Sequence, residues 1–336
     1  MPELWVAGAV QQEGCMRFIQ IKKTAFRIRL YVCGLRFFSL PTRRGWRYNR
    51  LHARRFDPDL TFDEKVEYVS LRFEKYHGYP LRLAAPGTFS EKLQWLKLFN
   101  EDPLITTCAD KYRVREYVQE KIGEDVLVPL LGVYDSPDQI DFAALPDRFV
   151  LKVNWGSGYN IICKDKNTLN IKKVKKMLAK WLKNEKNTYY IGFQFAYKNI
   201  IPKITCEQYI EQIDKNLLDY KFFCFHGTVA YVQVDSDRDT NHSISFYDRQ
   251  WEKMNFRYAD KPDHAVIPKP EVFEEMLALA EKLAQPFVFV RADLYNINAK
   301  IYFGELTFYP TDGISPFTPQ EWDAKLGDLI DLGELQ

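Results

Sequence analysis

Apolar positions follow two different periods along this chain. Between residues 61 and 123 they recur at helical spacing, and from about Val126 onward they shorten to the alternating or continuous runs of strands. In the helical part, Thr61 with Glu64 forms an S/T-x-x-E capping box before EKVEYVSLRFEKYHG, and Thr88 with Glu91 forms another before EKLQWLKLFN. Gly78 and Pro80 end the first of these helices, and Pro86 and Gly87 stand just ahead of the second cap. A third helix is expected from Asp110 or Lys111 through Lys121, stopped by Gly123. The strand-like runs VLVPLLGVY, RFVLKVNW and YNIICK follow, then a polar helix, NIKKVKKMLAKWLKNEKN. ITCEQYIE, DYKFFCFHG and TVAYVQVD read as further strands, with a hairpin at His226-Gly227. The helix PEVFEEMLALAEKLA precedes two last strands, FVFVRADLYNI and KIYFGELTFY, joined by a turn at Asn296 to Asn298. A helical front followed by alternating helices and strands predicts an α+β fold in two lobes. No internal repeat or low-complexity tract interrupts it.

The first sixty residues change this picture through their charge. Arg17, Lys22, Lys23, Arg27, Arg29, Arg36, Arg43, Arg44, Arg47, Arg50, Arg54 and Arg55 face only Glu3, Glu13, Asp57 and Asp59. Phe18, Ile21, Phe26, Leu30, Val32, Leu35, Phe37 and Phe38 are interleaved with these bases at spacing that is not cleanly helical. Two readings stay open: a basic amphipathic segment on an anionic membrane face, or a helix packed on the protein's own body with its bases in water. Met16 opens this segment, so residues 1–15 could be an upstream extension. Over the whole chain of 336 residues the net charge is only +2, which gives no general case for nucleic-acid binding. The six cysteines form no C-x-x-C pair and no zinc-finger spacing, as expected of free thiols in a reducing compartment. No apolar run reaches the ~18–20 residues of a membrane span, and the start lacks the pattern of a secretory signal. The expectation is a cytoplasmic protein, with peripheral contact at the inner membrane face if the basic segment lies on lipid.

Three segments carry candidate chemistry. In RFVLKVNWGSGYNIIC a strand places Lys152, and Gly156 and Gly158 allow a sharp turn whose N–H groups could meet an anion; a plain hairpin turn is the alternative. It is neither a Walker A loop nor G-x-G-x-x-G. In FVFVRADLYNI and KIYFGELTFYPTDG, Asp293 and Glu305 sit on consecutive strands expected to pair, which would let them share a hard cation. Arg291 lies on the same strand face as Asp293, so an ordinary ion pair is equally consistent. ITCEQYIE supplies Glu207 and Gln208, and Lys221 follows on a neighbouring strand.

In this order the segments resemble the ATP-grasp superfamily, and more closely the TupA-like ATP-grasp proteins associated with bacterial surface-polysaccharide and teichuronopeptide biosynthesis. The resemblance runs from TFSEKLQWLKL through PFTPQEWDAKLGDLIDL, about residues 88 to 330. It implies two α+β lobes clasping a nucleotide behind a helical N-terminal region. The divisions expected are 1–55 as the basic segment, 56–105 as helical, 106–205 as the lobe with the glycine loop, and 206–336 as the lobe with hinge and metal site. It also implies that Lys111, Lys152 and Lys221 approach the phosphates while Gly156, Ser157 and Gly158 close over them. Glu207 and Gln208 would address the exocyclic amine of adenine, and the Ile210 backbone its ring nitrogen. Asp293 and Glu305 would hold Mg²⁺, two ions in all, with Thr307 where many members have Asn. Arg291 would hold the carboxylate or acyl phosphate. The Rossmann-like domain that many members carry ahead of the grasp lobes has no counterpart in the pattern here.

The activity implied is ATP-dependent joining of a carboxylate to an amine through an acyl phosphate. The partners implied are an amino acid or other amine and a carboxylate-bearing glycan or peptide acceptor, lipid-linked forms included. A nucleotide-sugar glycosyltransferase and a non-catalytic nucleotide-binding module are the alternatives. The first has Asp235-Ser236-Asp237 as its best D-x-D candidate, overlapped by Asp237-Arg238-Asp239. The polar loop 235–243 could bind a second substrate or stand solvated. His52, His77, His226, His242 and His264 show no ligand spacing, and the lysine-rich helix near 172–186 reads as a solvated face.

Overall fold

A computed structural model describes the chain except residues 1–3, 13–14, 33–34, 184–187, 211–217, 237–241, 264–265 and 336. The side chains of 4–12, 15–20, 32, 35, 37–38, 188 and 334 also lie outside the description. Asp237, Arg238 and Asp239 of the polar loop, and His264, therefore fall outside it. The chain divides into two compact units, Met1–Ala84 and Ala85–Gln336. The division falls inside the stretch 56–105 that the pattern reads as one helical region. The break Gly78 to Gly87 separates its two capped helices, and each helix packs within its own unit.

In the first unit, β1 (Leu4–Gln12), β2 (Cys15–Lys23), β3 (Arg27–Val32) and β4 (Leu35–Pro41) form an antiparallel meander. The basic N-terminal segment is thus strand over most of its length, in place of the packed helix that was one of its two readings. The unclear helical period is explained by antiparallel pairing, such as Lys22 opposite Arg29, which spreads bases over both strands. Two helices follow, α1 (Arg43–Arg54) and α2 (Phe62–His77). Thr61 and Glu64 of α2 make the expected capping box, and Gly78 closes the helix in the left-handed conformation. Tyr48 of α1 stacks on Tyr68 of α2 at 5.7 Å between centroids. The bases of α1 meet acids of α2: Arg44 pairs with Glu74, Arg47 with Glu67 at 2.5 Å, and Arg54 with Glu64 at 2.6 Å.

The second unit begins with α3 (Phe89–Phe99), whose Thr88–Glu91 capping box is present, and α4 (Pro103–Ala109), capped by Asp102. The third expected helix, α5 (Val114–Ile122), starts later than its pattern suggests. Asp110 Oδ1 accepts from the N–H groups of Tyr112 and Arg113, and the Lys111 N–H donates to the Asn154 carbonyl. These bonds hold 110–113 as a turn and leave the Lys111 side chain clear of the helix.

A four-stranded antiparallel sheet contains β5 (Leu130–Tyr134), β6 (Phe149–Val153), β7 (Asn160–Cys163) and β8 (Ile204–Gln208), in the order β5-β8-β6-β7. Phe149, Leu151, Ile204 and Cys206 of this sheet pack with Val174 and Leu178 of α6 (Ile171–Leu182). Because side chains alternate, Lys152 and Glu207 fall on the opposite face from that core. The short helix α7 (Thr188–Gly192) leads toward β8.

The larger sheet is also antiparallel. It holds β9 (Asp219–Phe225), β10 (Thr228–Ser236) and β11 (Ser243–Tyr247), and further along the chain β13 (Phe289–Ile297) and β14 (Lys300–Thr307), in the order β11-β10-β9-β13-β14. The hairpin at His226-Gly227 joins β9 to β10 as expected, while the last hairpin turns at Asn298-Ala299, both with positive φ. Between these, β12 (Arg257–Tyr258) pairs with β15 (Phe317–Thr318). One face of the larger sheet is covered by α8 (Phe273–Ala284), with Phe273 against Phe222. On the other face Phe223, Phe225 and Phe289 surround Phe89 of α3, which also meets Phe317. Following β9 and β13 away from this cluster, the same face passes from Phe223 to Lys221 and Asp219, and from Phe289 to Arg291 and Asp293. The face is therefore aromatic at one end and ionic at the other. The chain closes with α9 (Glu321–Gly327), tied to α3 by Lys92, whose Nζ donates to the Gly327 and Ile330 carbonyls.

Candidate active site

The ionic end of the larger sheet and the Lys152 face of the smaller one border a cavity of about 220 Å³. Lys111, Lys152, Gly156, Ser157, Gly158, Glu207, Lys221, Asp293 and Glu305 all line it. Residues separated by up to about two hundred positions are thus brought to one place by the pairing of two sheets. Gly156 and Gly158 take φ values of 70° and 80°, the region where glycine carries no Cβ penalty, and they turn the β6–β7 loop over the cavity.

The ion pairs are specific. Asp293 and Glu305 stand directly opposite on β13 and β14, and Lys221 of β9 is opposite Asp293 on its other side. Lys221 Nζ donates to Asp219 Oδ2 at 2.5 Å and to Asp293 Oδ2 at 2.7 Å. Arg291 donates to both oxygens of Asp293, at 2.7 and 2.6 Å, and to the Thr307 hydroxyl at 3.1 Å. Thr307 in turn donates to Glu305 Oε1 at 3.2 Å. Lys111 Nζ reaches the Gly156 carbonyl at 2.7 Å and Glu305 Oε2 at 3.4 Å, linking the glycine loop to the sheet. Lys152 Nζ donates to Glu207 Oε2 at 2.6 Å.

Gly304 forms the bulge that lets Glu305 oppose Asp293. A Cβ there would sit 2.9 Å from the Asp293 carbonyl oxygen and 3.1 Å from the Tyr295 ring.

These neighbours set the charge states. Burial pushes the Glu305 carboxyl up, but Lys111, Arg291 and Lys221, with the Thr307 hydroxyl, outweigh it and bring its pKa down to about 2. Burial likewise opposes the charge on Lys221, yet Asp293 and Asp219 hold its pKa above the usual lysine value. Arg291 is raised in the same way, with Asp293 outweighing burial. Every one of these groups is ionised near neutrality.

Four of the residues expected at the site do not line the cavity. Arg291 and Thr307 lie beneath it, bonded to the carboxylates that do. Gln208 directs its side chain outward while its N–H pairs with the Pro129 carbonyl, and Ile210 immediately precedes residues outside the description. Glu207 reaches the cavity, but its carboxylate is turned to Lys152. Conversely, Arg115, Leu127, Val128, Tyr159, Asn160, Asp219, Tyr295, Phe303 and Gly304 line the cavity without having been expected there. Two of them were within reach of strand alternation: Tyr295 and Asp219 lie two residues from Asp293 and Lys221, on the same face. Leu127, Val128 and Phe303 contribute apolar surface to the lining.

The donors also bear on a metal. Glu305 keeps 39% of its side-chain surface open, whereas Asp293 keeps 4%, so Glu305 is the more available ligand. Two carboxylates on adjoining strands beside a hydroxyl suit Mg²⁺ when substrate phosphate oxygens complete the shell. Among the described residues no group of three or more His, Cys, Asp or Glu side chains is placed to hold a metal without such help. Cys108, Cys163, Cys206 and Cys224 are buried free thiols.

Two facing antiparallel sheets, a glycine loop over the cleft and an Arg-x-Asp strand paired with the Glu305 strand define an ATP-grasp protein of α+β class. The chain belongs to the TupA-like ATP-grasp family, whose model matches residues 91–331. No curated protein matches it. Among solved structures it is similar to a D-alanine–D-alanine ligase from Bacillus anthracis complexed with ATP, at 18% identity and TM-score 0.39, over 66% of this chain and 63% of that one. It is also similar to the D-cycloserine synthetase DcsG, at 12% identity and TM-score 0.38, over 86% and 94% of the two chains. A third is a RimK domain ATP-grasp protein from Sphaerobacter thermophilus, at 13% identity and TM-score 0.35, over 67% and 69%. The chain spans less than two thirds of the length of the Bacillus anthracis ligase.

Proposed function

We propose that this protein is an ATP-dependent carboxylate–amine ligase that works through an acyl phosphate. The observation that carries the reading is the convergence of Lys111, Lys152 and Lys221 with Asp293 and Glu305 under the glycine loop, in a chain of ATP-grasp family. A carboxylate is a poor electrophile. Transfer of the γ-phosphoryl group of ATP to one of its oxygens gives an acyl phosphate and ADP, and an amine then displaces phosphate to form the amide. In this reading the three lysines neutralise the triphosphate and hold it for in-line transfer. Bound Mg²⁺, two ions in the full site, would screen the β- and γ-oxygens, with Asp293 and Glu305 as its protein ligands. Arg291 fixes Asp293 from beneath the cavity and stands 3.8 Å from Glu305, so in this reading it acts on the carboxylate or the acyl phosphate through the carboxylates it orients. The loop at Gly156, Ser157 and Gly158 covers the phosphates and keeps water from the acyl phosphate.

The substrates proposed are an amino acid or other amine and a sugar-acid or peptide acceptor of a bacterial surface polymer. Trp46, 65% exposed, stands with exposed Arg43 and Arg50 on α1 and supports peripheral contact with an anionic membrane. No helix among the described residues is long and apolar enough to cross one. For the glycosyltransferase alternative, Asp235 and Ser236 are buried within β10, and Asp237 lies outside the described residues.

The test is MgATP-dependent ADP release with paired panels of carboxylates and amines, together with hydroxamate formation when hydroxylamine replaces the amine. Lys152→Ala and Glu305→Ala should each abolish both signals. Thermal shifts compare MgATP with UDP-, GDP- and CMP-sugars, since a ligand at 100 times its Kd stabilises by about 2.7 kcal/mol. A nucleotide sugar that shifts the midpoint where MgATP does not would falsify the ligase reading.

A further inference from the structure

Beyond Lys221 the ionic face of the larger sheet continues onto β10, where the phosphoryl-transfer chemistry above makes no use of it. Register places Gln233 opposite Lys221 and Asp235 opposite Asp219, so both side chains stand on the same face as the phosphate-side lysine. Each is only 3% exposed. Gln233 Nε2 donates to Asp235 Oδ1 at 2.6 Å. His242, one residue before β11, sets its Nε2 3.3 Å from Asp235 Oδ2 and keeps a quarter of its side chain open.

Two features of this group are unfinished. Gln233 Oε1 is buried without a hydrogen-bond partner, as is His242 Nε2 beside Asp235. Asp235 has no lysine or arginine within ion-pair distance among the described residues, whereas Asp293, Glu305 and Glu207 all have one. A buried amide oxygen without a donor and a buried carboxylate without a fixed cation are both costly. The ligand that would satisfy both carries positive charge and several N–H donors. A primary ammonium has three donors and no acceptor, which fits. The Asp235 charge argues against a phosphate or a carboxylate in the same place. The location is apt as well, since the next strand carries Lys221, the residue proposed at the phosphates.

We propose that Gln233 and Asp235, with His242 at their edge, form the subsite for the amino group of the amine substrate. The proposal rests on the ligase reading and adds to it the position of the second substrate. Gln233 Oε1 and the Asp235 carboxylate accept hydrogens of the arriving ammonium one strand away from Lys221; one proton passes to the carboxylate, and the neutral amine then forms the C–N bond as the C–O bond to the departing phosphate breaks.

The test uses the full chain and the amine found to support ADP release in a panel of amino acids and simple alkylamines. Asp235→Asn keeps the shape and removes the charge; Gln233→Met keeps the volume and removes the acceptor. Each should raise KM for the amine by about 10- to 100-fold, the worth of hydrogen bonds to a charged group, with KM for ATP changed by less than about twofold. If Asp235→Asn does not fold, Gln233→Met decides. Unchanged amine KM, or a rise in KM for ATP or the carboxylate instead, overturns the subsite. Hydroxylamine, uncharged at neutral pH, separates the two failures in the wild-type protein. Hydroxamate formation with unaltered amine KM in the variants removes only the subsite. No hydroxamate and no ADP release with any pair removes the ligase reading and the subsite together.

Discussion

Replacing Lys221 by methionine takes an ammonium out of the middle strand of the larger sheet and keeps most of its stem volume. The lysine side chain is 5% exposed, and its partners Asp219 and Asp293 are 1% and 4% exposed. Asp293 retains the two bonds from Arg291, but Asp219 loses the ammonium at 2.5 Å. Removing one member of a buried ion pair costs about 3–5 kcal/mol, because the remaining charge stays desolvated. For a unit of this size about 2–4 °C of midpoint accompanies each kcal/mol, so Lys221→Met should lower the thermal midpoint of the second unit by roughly 6–20 °C. Circular dichroism melts at pH 7 read this directly. The double variant Lys221→Met, Asp219→Asn also removes the carboxylate that faced the ammonium and should recover part of the loss. A single variant that melts within about 2 °C of wild type, less than a kcal/mol for this unit, would show that the Lys221 cluster is not the buried, charge-balanced arrangement described here.

Two further outcomes follow from the same face. Glu305 has a folded-state pKa of about 2 against an ordinary value of 4.5, so below 4.5 the unfolded chain binds the extra proton. Its contribution to stability is full above that value and lost as pH falls toward about 2; denaturant titrations should show the gap between wild type and Glu305→Gln narrowing across that window, and a gap that widens instead refutes the assignment. Gly304→Val places a Cβ 2.9 Å from the Asp293 carbonyl oxygen, which backbone cannot yield; overpacking of this kind costs about 1–3 kcal/mol and should weaken MgATP binding by displacing Glu305, measured by calorimetry, with unchanged affinity the contrary result.

Much of the fold was legible because its determinants are local. The capping boxes at Thr61 and Thr88, the Gly78 stop and the hairpin at His226-Gly227 depend only on residues a few positions apart. Strand alternation put Arg291 and Asp293 on one face, and the expected pairing of their strand with that of Glu305 is present, with the bulge at Gly304 bringing Glu305 opposite Asp293. Tyr295 and Asp219 were readable by the same rule. The late start of α5 was not, because it depends on Asp110 capping a turn and on Asn154 accepting the Lys111 N–H from across the fold.

Period, caps and the ordered motifs that mark an ATP-grasp chain are therefore written locally in the residues. Tertiary structure alone decided which charges meet. The basic excess of the first sixty residues looked uncompensated because Arg44, Arg47 and Arg54 find Glu74, Glu67 and Glu64 on the next helix. Glu207 carried the motif of an adenine-reading residue, yet its carboxylate binds Lys152, a partner 55 positions away. Lys111 and Glu305 are separated by 194 positions. Periodicity reports what each residue's own turn or strand requires, whereas an ion pair across such a separation exists only once strands distant in sequence have paired and the turn carrying Lys111 has packed beside the last hairpin.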